Sequence, residues 1–389
     1  MPPTSSFSLR RVVWNGMLLR ILMAVVLHLL ANDELFAPDQ GTYHFYGAWL
    51  ARYWAGDTLV YPQRLLQPGP TAYYYVVAVL YFLFGPFSFA PKLLNAVLGG
   101  LTVPLVHDLA LRVTGDSASA ARAATYTAYF PSLILWSVLN IRDAWVILLI
   151  LIICREALAL QERFSPRSLI LLAAAVLAVT SFRDYIFFAV AGPAVVSFLV
   201  RNRRHLPRNV VLGMLLTGVV IYGDQVAGAN RKLHSLDLEE LQDLRHWNAM
   251  GAKSGFEAVD ISTPTRAALF LPVGLTYFLL APFPWLISSF RQALTLPEML
   301  FLYSIIPGIV RGIRLLIRER LSHALMVLLI TAGLTFGYAL GEGNVGTAYR
   351  HRAQVISFYL IFAAVGIEER TRRRLPAPAE AFGPVRQPA

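Results

Sequence analysis

The chain has 389 residues, of which 56% are hydrophobic and only 15% charged, and its mean hydropathy of +0.55 is too apolar for a water-soluble domain of that length. Its net charge of +11 is dispersed in short basic segments between apolar runs, which excludes a single basic face for nucleic acid. One cysteine, Cys154, excludes any intrachain disulfide.

A membrane-spanning helix needs roughly 20 apolar residues. The first candidate, 12–30, follows Arg10 and Arg11 and contains Arg20. It looks like a signal peptide, but no small-residue cleavage site follows, so it reads as an uncleaved span. Further spans are expected at 92–111, 123–139, 144–160, 169–181, 186–200, 210–222, 299–317, 324–340 and 353–367, about ten in all. The short loops at one set of ends carry Arg112, Arg122, Arg163, Arg167, Arg203, Arg204 and the runs 311–320 and 370–374. The positive-inside rule therefore places both termini in the cytoplasm. Two apolar stretches, 71–84 and 267–290, break that alternation; their tyrosines and prolines suit interfacial or re-entrant helices on the outer side. The expected architecture is all-α: one polytopic membrane domain over 1–374, followed by a disordered cytoplasmic tail over 375–389. Only Lys92, Lys232 and Lys253 are lysines among the 34 basic residues, a bias typical of GC-rich bacterial genomes, so a bacterial inner membrane is expected.

Charges at the outer ends of spans are costly unless they pair or work. Asp39 opens a stretch leading through Tyr43 and His44 into the aromatic segment 45–54. It could act as a general base towards a hydroxyl at headgroup height, or cap the helix that follows. Two tight outer turns hold Arg142-Asp143 and Arg183-Asp184. Each arginine could meet another loop's carboxylate in a structural network, or an anionic ligand group in bidentate geometry. The last outer turn, 341–352, has three glycines followed by Arg350, His351 and Arg352. It suits a phosphate clamp, with snorkelling arginines at a helix end as the alternative. His44, His234, His246 and His351 fall at no metal-ligand spacing, so a divalent metal has little support and no other cofactor is indicated. The chain also lacks a phosphate-binding glycine loop and a serine nucleophile elbow, which disfavours ATP-driven transport and serine hydrolysis.

In layout and short motifs the chain resembles the GT-C class of membrane glycosyltransferases, particularly relatives of protein O-mannosyltransferases and of the lipid A aminoarabinose transferase. The resemblance rests on Asp39-Gln40-Gly41-Thr42-Tyr43, where Gln40 replaces the usual glutamate, on Phe84-Gly85 and Pro91 to Ala96, on Val106 to Arg112, on Pro131 with Arg142-Asp143, and on Arg350 and Arg352. It implies inverting transfer of a sugar from a polyprenyl-phosphate carrier to a glycan, lipid or protein acceptor on the extracytoplasmic face. Asp39 would be the catalytic acid of that family's first outer loop. Tyr43, His44, Arg142, Asp143, Arg183, Asp184, Arg350 and Arg352 would form the binding site around it. Two other functions stay open. A polysaccharide polymerase or ligase would also need outer arginines, for a lipid diphosphate, and a flippase or transporter of a lipid-linked sugar would show charges facing a path near the midplane, or inverted repeats.

Overall fold

The computed structural model describes residues 7–30, 36–57, 71–183, 185–201, 238–249, 259–287 and 289–374. The expected span 210–222 and the tail 375–389 lie outside them. The described residues are helical and include no strand.

In chain order the helices of six or more residues are α1 (Leu9–Leu30), α2 (Asp39–Trp54), α3 (Ala72–Phe84), α4 (Phe89–Thr114), α5 (Ser117–Tyr129), α6 (Pro131–Trp136), α7 (Asp143–Glu162), α8 (Pro166–Phe182), α9 (Ile186–Arg201), α10 (Leu238–Ala249), α11 (Pro264–Leu280), α12 (Leu296–Glu319), α13 (Leu321–Gly341) and α14 (Val345–Arg374). Local chemistry sets several boundaries. Gly115, at φ +68°, ends α4 in the left-handed conformation that glycine adopts without a Cβ penalty. Asp116 then caps α5, its Oδ2 accepting from the Ser119 amide at 2.9 Å. Ser165 and Thr263 cap α8 and α11, each followed by a proline in the first turn.

α4 packs against α1, α3, α5 and α7, while α14 packs against α12, α5 and α13. α7 and the middle of α14 are apolar on nearly every side and enclosed, as Ile150, Ile153, Phe358 and Ile361 illustrate. α1 is the converse: Trp14, Leu18, Leu22 and Leu29 are 54–73% exposed in a stripe that none of the described residues covers. Four described helices, α1, α4, α12 and α13, are long and apolar enough to cross a membrane, which points to a membrane location. About ten spans were expected. Of the two anomalous stretches, the first is a helix of 13 residues, and the second is a 17-residue helix that stops before Pro282 and Pro284.

The crossing of α12 and α14 depends on glycine. Gly308 and Gly312 are one turn apart, and a Cβ at Gly312 would overlap the Phe362 carbonyl oxygen of α14. In lipid, where apolar burial drives little, small residues that let backbones approach closely favour helix association through van der Waals packing.

The expected span 123–139 is interrupted. Pro131 has no amide hydrogen, so the Thr127 carbonyl loses its helical donor and α5 stops at Tyr129. Arg20 of α1 fills the gap. Fully buried, it donates to Thr127 O at 3.1 Å, Ala128 O at 2.9 Å and Gly16 O at 2.9 Å. The Ser132 amide, whose helical acceptor Ala128 O is now taken by Arg20, donates instead to Glu298 at 2.6 Å. Arg20, a charge inside an apolar span, thus serves as a cap for a broken helix end.

At the arginine-rich end of the bundle, Asp108 receives Arg112 at 3.1 Å and Arg155 at 2.9 Å, tying α4 to α7. Arg122 donates to Glu368 at 2.7 Å, tying α5 to α14.

Candidate functional site

The opposite end of the bundle gathers the start of α2, the turn 137–142, the start of α7, the α8–α9 turn and the start of α14. The turn 137–142 is held from beneath by Asn95 of α4, whose amide donates to Leu139 O at 2.7 Å and Ile141 O at 2.8 Å while its oxygen accepts from Trp145 at 3.1 Å. Tyr73 of α3 donates to Asn140 Oδ1 at 2.9 Å, and the Gln40 side chain accepts from the Asn140 amide at 2.9 Å. These buried contacts fix where Arg142 and Asp143 stand relative to Asp39.

Asp143 is the hub. It is fully buried at the first turn of α7, where an anion is favoured, and it accepts from one helix, α14, and from the turn after α8. Its Oδ2 receives Arg350 Nε at 2.9 Å and NH2 at 2.6 Å, a bidentate clasp. Its Oδ1 receives Gln354 at 3.2 Å and Arg183 at 3.3 Å. Arg350 and Gln354 are four residues apart on α14 and so share a face. Arg183 also donates to the Tyr185 hydroxyl and stands 2.5 Å from His351 Nε2; the other ring nitrogen of His351 contacts Glu342. That pairing fits a neutral imidazole with the proton on Nδ1.

Asp39 sits at the mouth. Proline occupies the N-cap position before it and no side chain caps the helix, so the capping role that Asp39 could have taken is not realised. Its Oδ2 instead accepts from Arg350 NH1 at 2.7 Å. The carboxylate is 51% exposed, and its Oδ1 has no partner among the described residues. One arginine therefore bridges a buried carboxylate and an open one.

Arg142 differs from its neighbours. It donates to Phe182 O at 2.8 Å, but no carboxylate lies within ion-pair distance among the described residues. It lies within electrostatic reach of Tyr43: burial pushes the Tyr43 phenol above its ordinary value, while Arg142 and Arg350 pull it back. Tyr43 packs edge-on against Tyr73, its ring 4.8 Å away.

The expected residues separate into three groups. Asp39, Tyr43, Arg142, Asp143, Arg183 and Arg350 are brought together. His44 is committed to α3, with Nδ1 2.8 Å from the Tyr81 hydroxyl. Asp184 lies outside the described residues. Arg352, expected beside Arg350, is buried on another side of α14. It donates to Ala281 O at 2.7 Å and Leu279 O at 3.0 Å and approaches Phe278 O at 3.5 Å, at the end of α11. Pro282 offers no amide to the Phe278 carbonyl, so Arg352 caps this break as Arg20 caps the one at Pro131. Glu298, 3.9 Å away, balances its charge and accepts from the Tyr349 hydroxyl at 2.9 Å. A cation held in this way is not presented to a ligand.

Gln354, Glu342 and His351 were not singled out from sequence as parts of the network. Their signal was position: Gln354 lies one turn beyond Arg350, and Glu342 opens the glycine-rich turn that ends near His351. Among the described residues no group of three or more His, Cys, Asp or Glu is arranged to hold a metal ion.

No protein-family model matches the chain, and neither does any curated protein. Among solved structures it is similar to the archaeal oligosaccharyltransferase AglB from Archaeoglobus fulgidus, solved in complex with an inhibitory peptide and a dolichol-phosphate. The identity is 13% and the TM-score 0.48 over 95% of this chain and 52% of that one. The chain therefore spans about half the length of that protein.

Proposed function

We propose that the protein is an inverting glycosyltransferase that moves a sugar from a polyprenyl-phosphate carrier to a hydroxyl acceptor, with Asp39 as general base. The observation that carries this reading is the pairing, at one mouth, of an exposed carboxylate with a free oxygen and two arginines able to meet a phosphate. In this reading about ten spans cross a bacterial inner membrane with both termini cytoplasmic, and the Asp39 end faces the outside. The acceptor is a glycan, a lipid or a protein.

The chemistry follows from the positions. The donor phosphate takes the NH1 of Arg350 that Asp39 now occupies and is met by Arg142, so donor binding itself releases Asp39. The acceptor hydroxyl gives its proton to Asp39 while its oxygen attacks the anomeric carbon. The bond from that carbon to the phosphate oxygen breaks, and the lipid phosphate leaves with a charge that Arg350 and Arg142 offset. A single displacement inverts the anomeric centre. Asp143 holds Arg350 in place without reaching the substrate, Arg183 pairs with the other oxygen of Asp143, and Arg352 maintains the fold.

The test is incubation of purified protein with a panel of polyprenyl-phosphate sugars and envelope acceptors, with detection of released polyprenyl phosphate and of the product's anomeric configuration. Release with an inverted product supports the reading. A retained configuration, or no release across the panel, refutes it.

A further inference from the structure

The arginine-rich end of the bundle carries a second cationic feature, far in sequence from Asp39 and separate from the transfer reading. On α12 the exposed residues Leu300, Ser304, Pro307, Arg311, Arg314 and Arg318 recur every three or four positions and so form one stripe along the helix. The first half of the stripe is apolar or small, and the second half is arginine. Beside it runs the end of α14, with Ile367, Arg370 and Arg374.

Two adjoining grooves lie between these helices. One, of about 290 Å³, is floored by Ser304, Pro307, Gly308 and Ile367. The other, of about 480 Å³, reaches Arg314 and Arg318. Arg311, Arg370 and Arg374 line both, which makes a single slot, cationic at one end and apolar at the other.

The cations in this slot are poorly neutralised compared with their neighbours. Arg122 pairs with Glu368, Arg372 with Asp116 and Arg373 with Glu369. Arg314, Arg318, Arg370 and Arg374 form no ion pair among the described residues, and Arg311 only approaches the Gly366 carbonyl at 3.4 Å. Glu319 and Glu369 border the wider groove, but Glu369 is committed to Arg373. Positive charge left uncompensated beside an apolar channel has the chemistry of an anionic lipid's complement: phosphate at the arginines, acyl chain on the apolar half.

We propose that this slot binds an anionic phospholipid, its phosphate held by Arg311, Arg370 and Arg374 and one acyl chain lying along Ser304 and Pro307 towards Leu300. The apolar half commits the site to a lipid, since a soluble phosphate would use only the arginine half.

The test is titration of the purified protein in mild detergent with phosphatidylglycerol, phosphatidylcholine and inorganic phosphate, read by native mass spectrometry. Phosphatidylglycerol is expected to bind in preference to phosphatidylcholine. The variant Arg311→Gln/Arg370→Gln/Arg374→Gln is expected to weaken phosphatidylglycerol roughly 100-fold, from the usual contribution of a basic residue near anionic lipid. The variant Arg10→Gln/Arg11→Gln, which removes two exposed arginines of α1, is expected to leave binding unchanged. Ser304→Trp, placed in the apolar half, is expected to lose the lipid while the arginines stay intact. Equal binding of both lipids, unchanged binding in the triple variant, or inorganic phosphate competing as tightly as the lipid each overturns the proposal. Native spectra of each variant report its fold independently of the lipid.

Discussion

Replacing Asp143 with asparagine tests whether the site is built on one buried charge. Asp143→Asn keeps the shape but removes the anion that Arg350 clasps bidentately and Arg183 reaches at 3.3 Å. Arg183 is then buried beside neutral partners, and Arg350 keeps only the open carboxylate of Asp39. Breaking a buried pair in this way costs about 3–5 kcal/mol, because the remaining cations stay desolvated without compensation. The same change at Asp39, half exposed and paired once, should cost no more than about 1 kcal/mol. Equilibrium unfolding in mixed micelles, followed by tryptophan fluorescence, would compare the two variants at equal detergent. A second variant sharpens the result: Asp143→Asn/Arg183→Gln should lose less than the sum of its single changes, since it removes a stranded cation together with its partner. Equal stability of Asp143→Asn and wild type, or strict additivity in the double variant, would refute the hub.

Further outcomes follow from other contacts. Arg350→Gln should weaken binding of a polyprenyl-phosphate sugar at least tenfold, measured by tryptophan quenching, whereas Arg352→Gln should lower stability by about 1–3 kcal/mol and leave donor affinity of the folded fraction unchanged. Gly312→Ala should cost about 1–3 kcal/mol in the same unfolding assay, because the added methyl meets the backbone of α14, which cannot swing aside. Asp116→Ala should cost about 1 kcal/mol through the lost cap of α5. Burial opposes ionisation of Asp116, yet the Ser119 hydrogen bonds and the Arg372 guanidinium hold its carboxyl below the ordinary carboxylate value. Its contribution is therefore complete above the unfolded-chain pKa near 4 and lost as pH falls through the lower folded value. The stability gap between wild type and Asp116→Ala should then narrow below about pH 4 in unfolding curves.

Much of the helix pattern was legible because apolar runs and arginine clusters carry it directly; the cores of α4, α7, α12 and α13 fall on expected spans. Asp39, Arg142, Asp143 and Arg183 stood out in the sequence as charges that an apolar chain keeps only for a reason, and the structure brings these four together. Partner choice was not. Arg350 and Arg352 looked like one clamp because they are two residues apart, but α14 begins at Val345, eight residues before the expected start of the span. On a helix, positions i and i+2 face different ways, so one arginine meets Asp39 and Asp143 while the other enters the α11 break. Arg20 and Glu298 were hidden for a related reason. Pro131 announces a helix break in the sequence, but which distant side chains satisfy the freed carbonyls and amide depends on how α1 and α12 pack.

The most direct measurement is release of polyprenyl phosphate by purified wild-type and Asp39→Asn protein, assayed side by side with a donor that the wild type turns over. With Asp39 as the base, the rate should fall by about 10²–10⁴ while the unfolding free energy stays within about 1 kcal/mol of wild type. Turnover by folded Asp39→Asn at the wild-type rate would contradict the assignment.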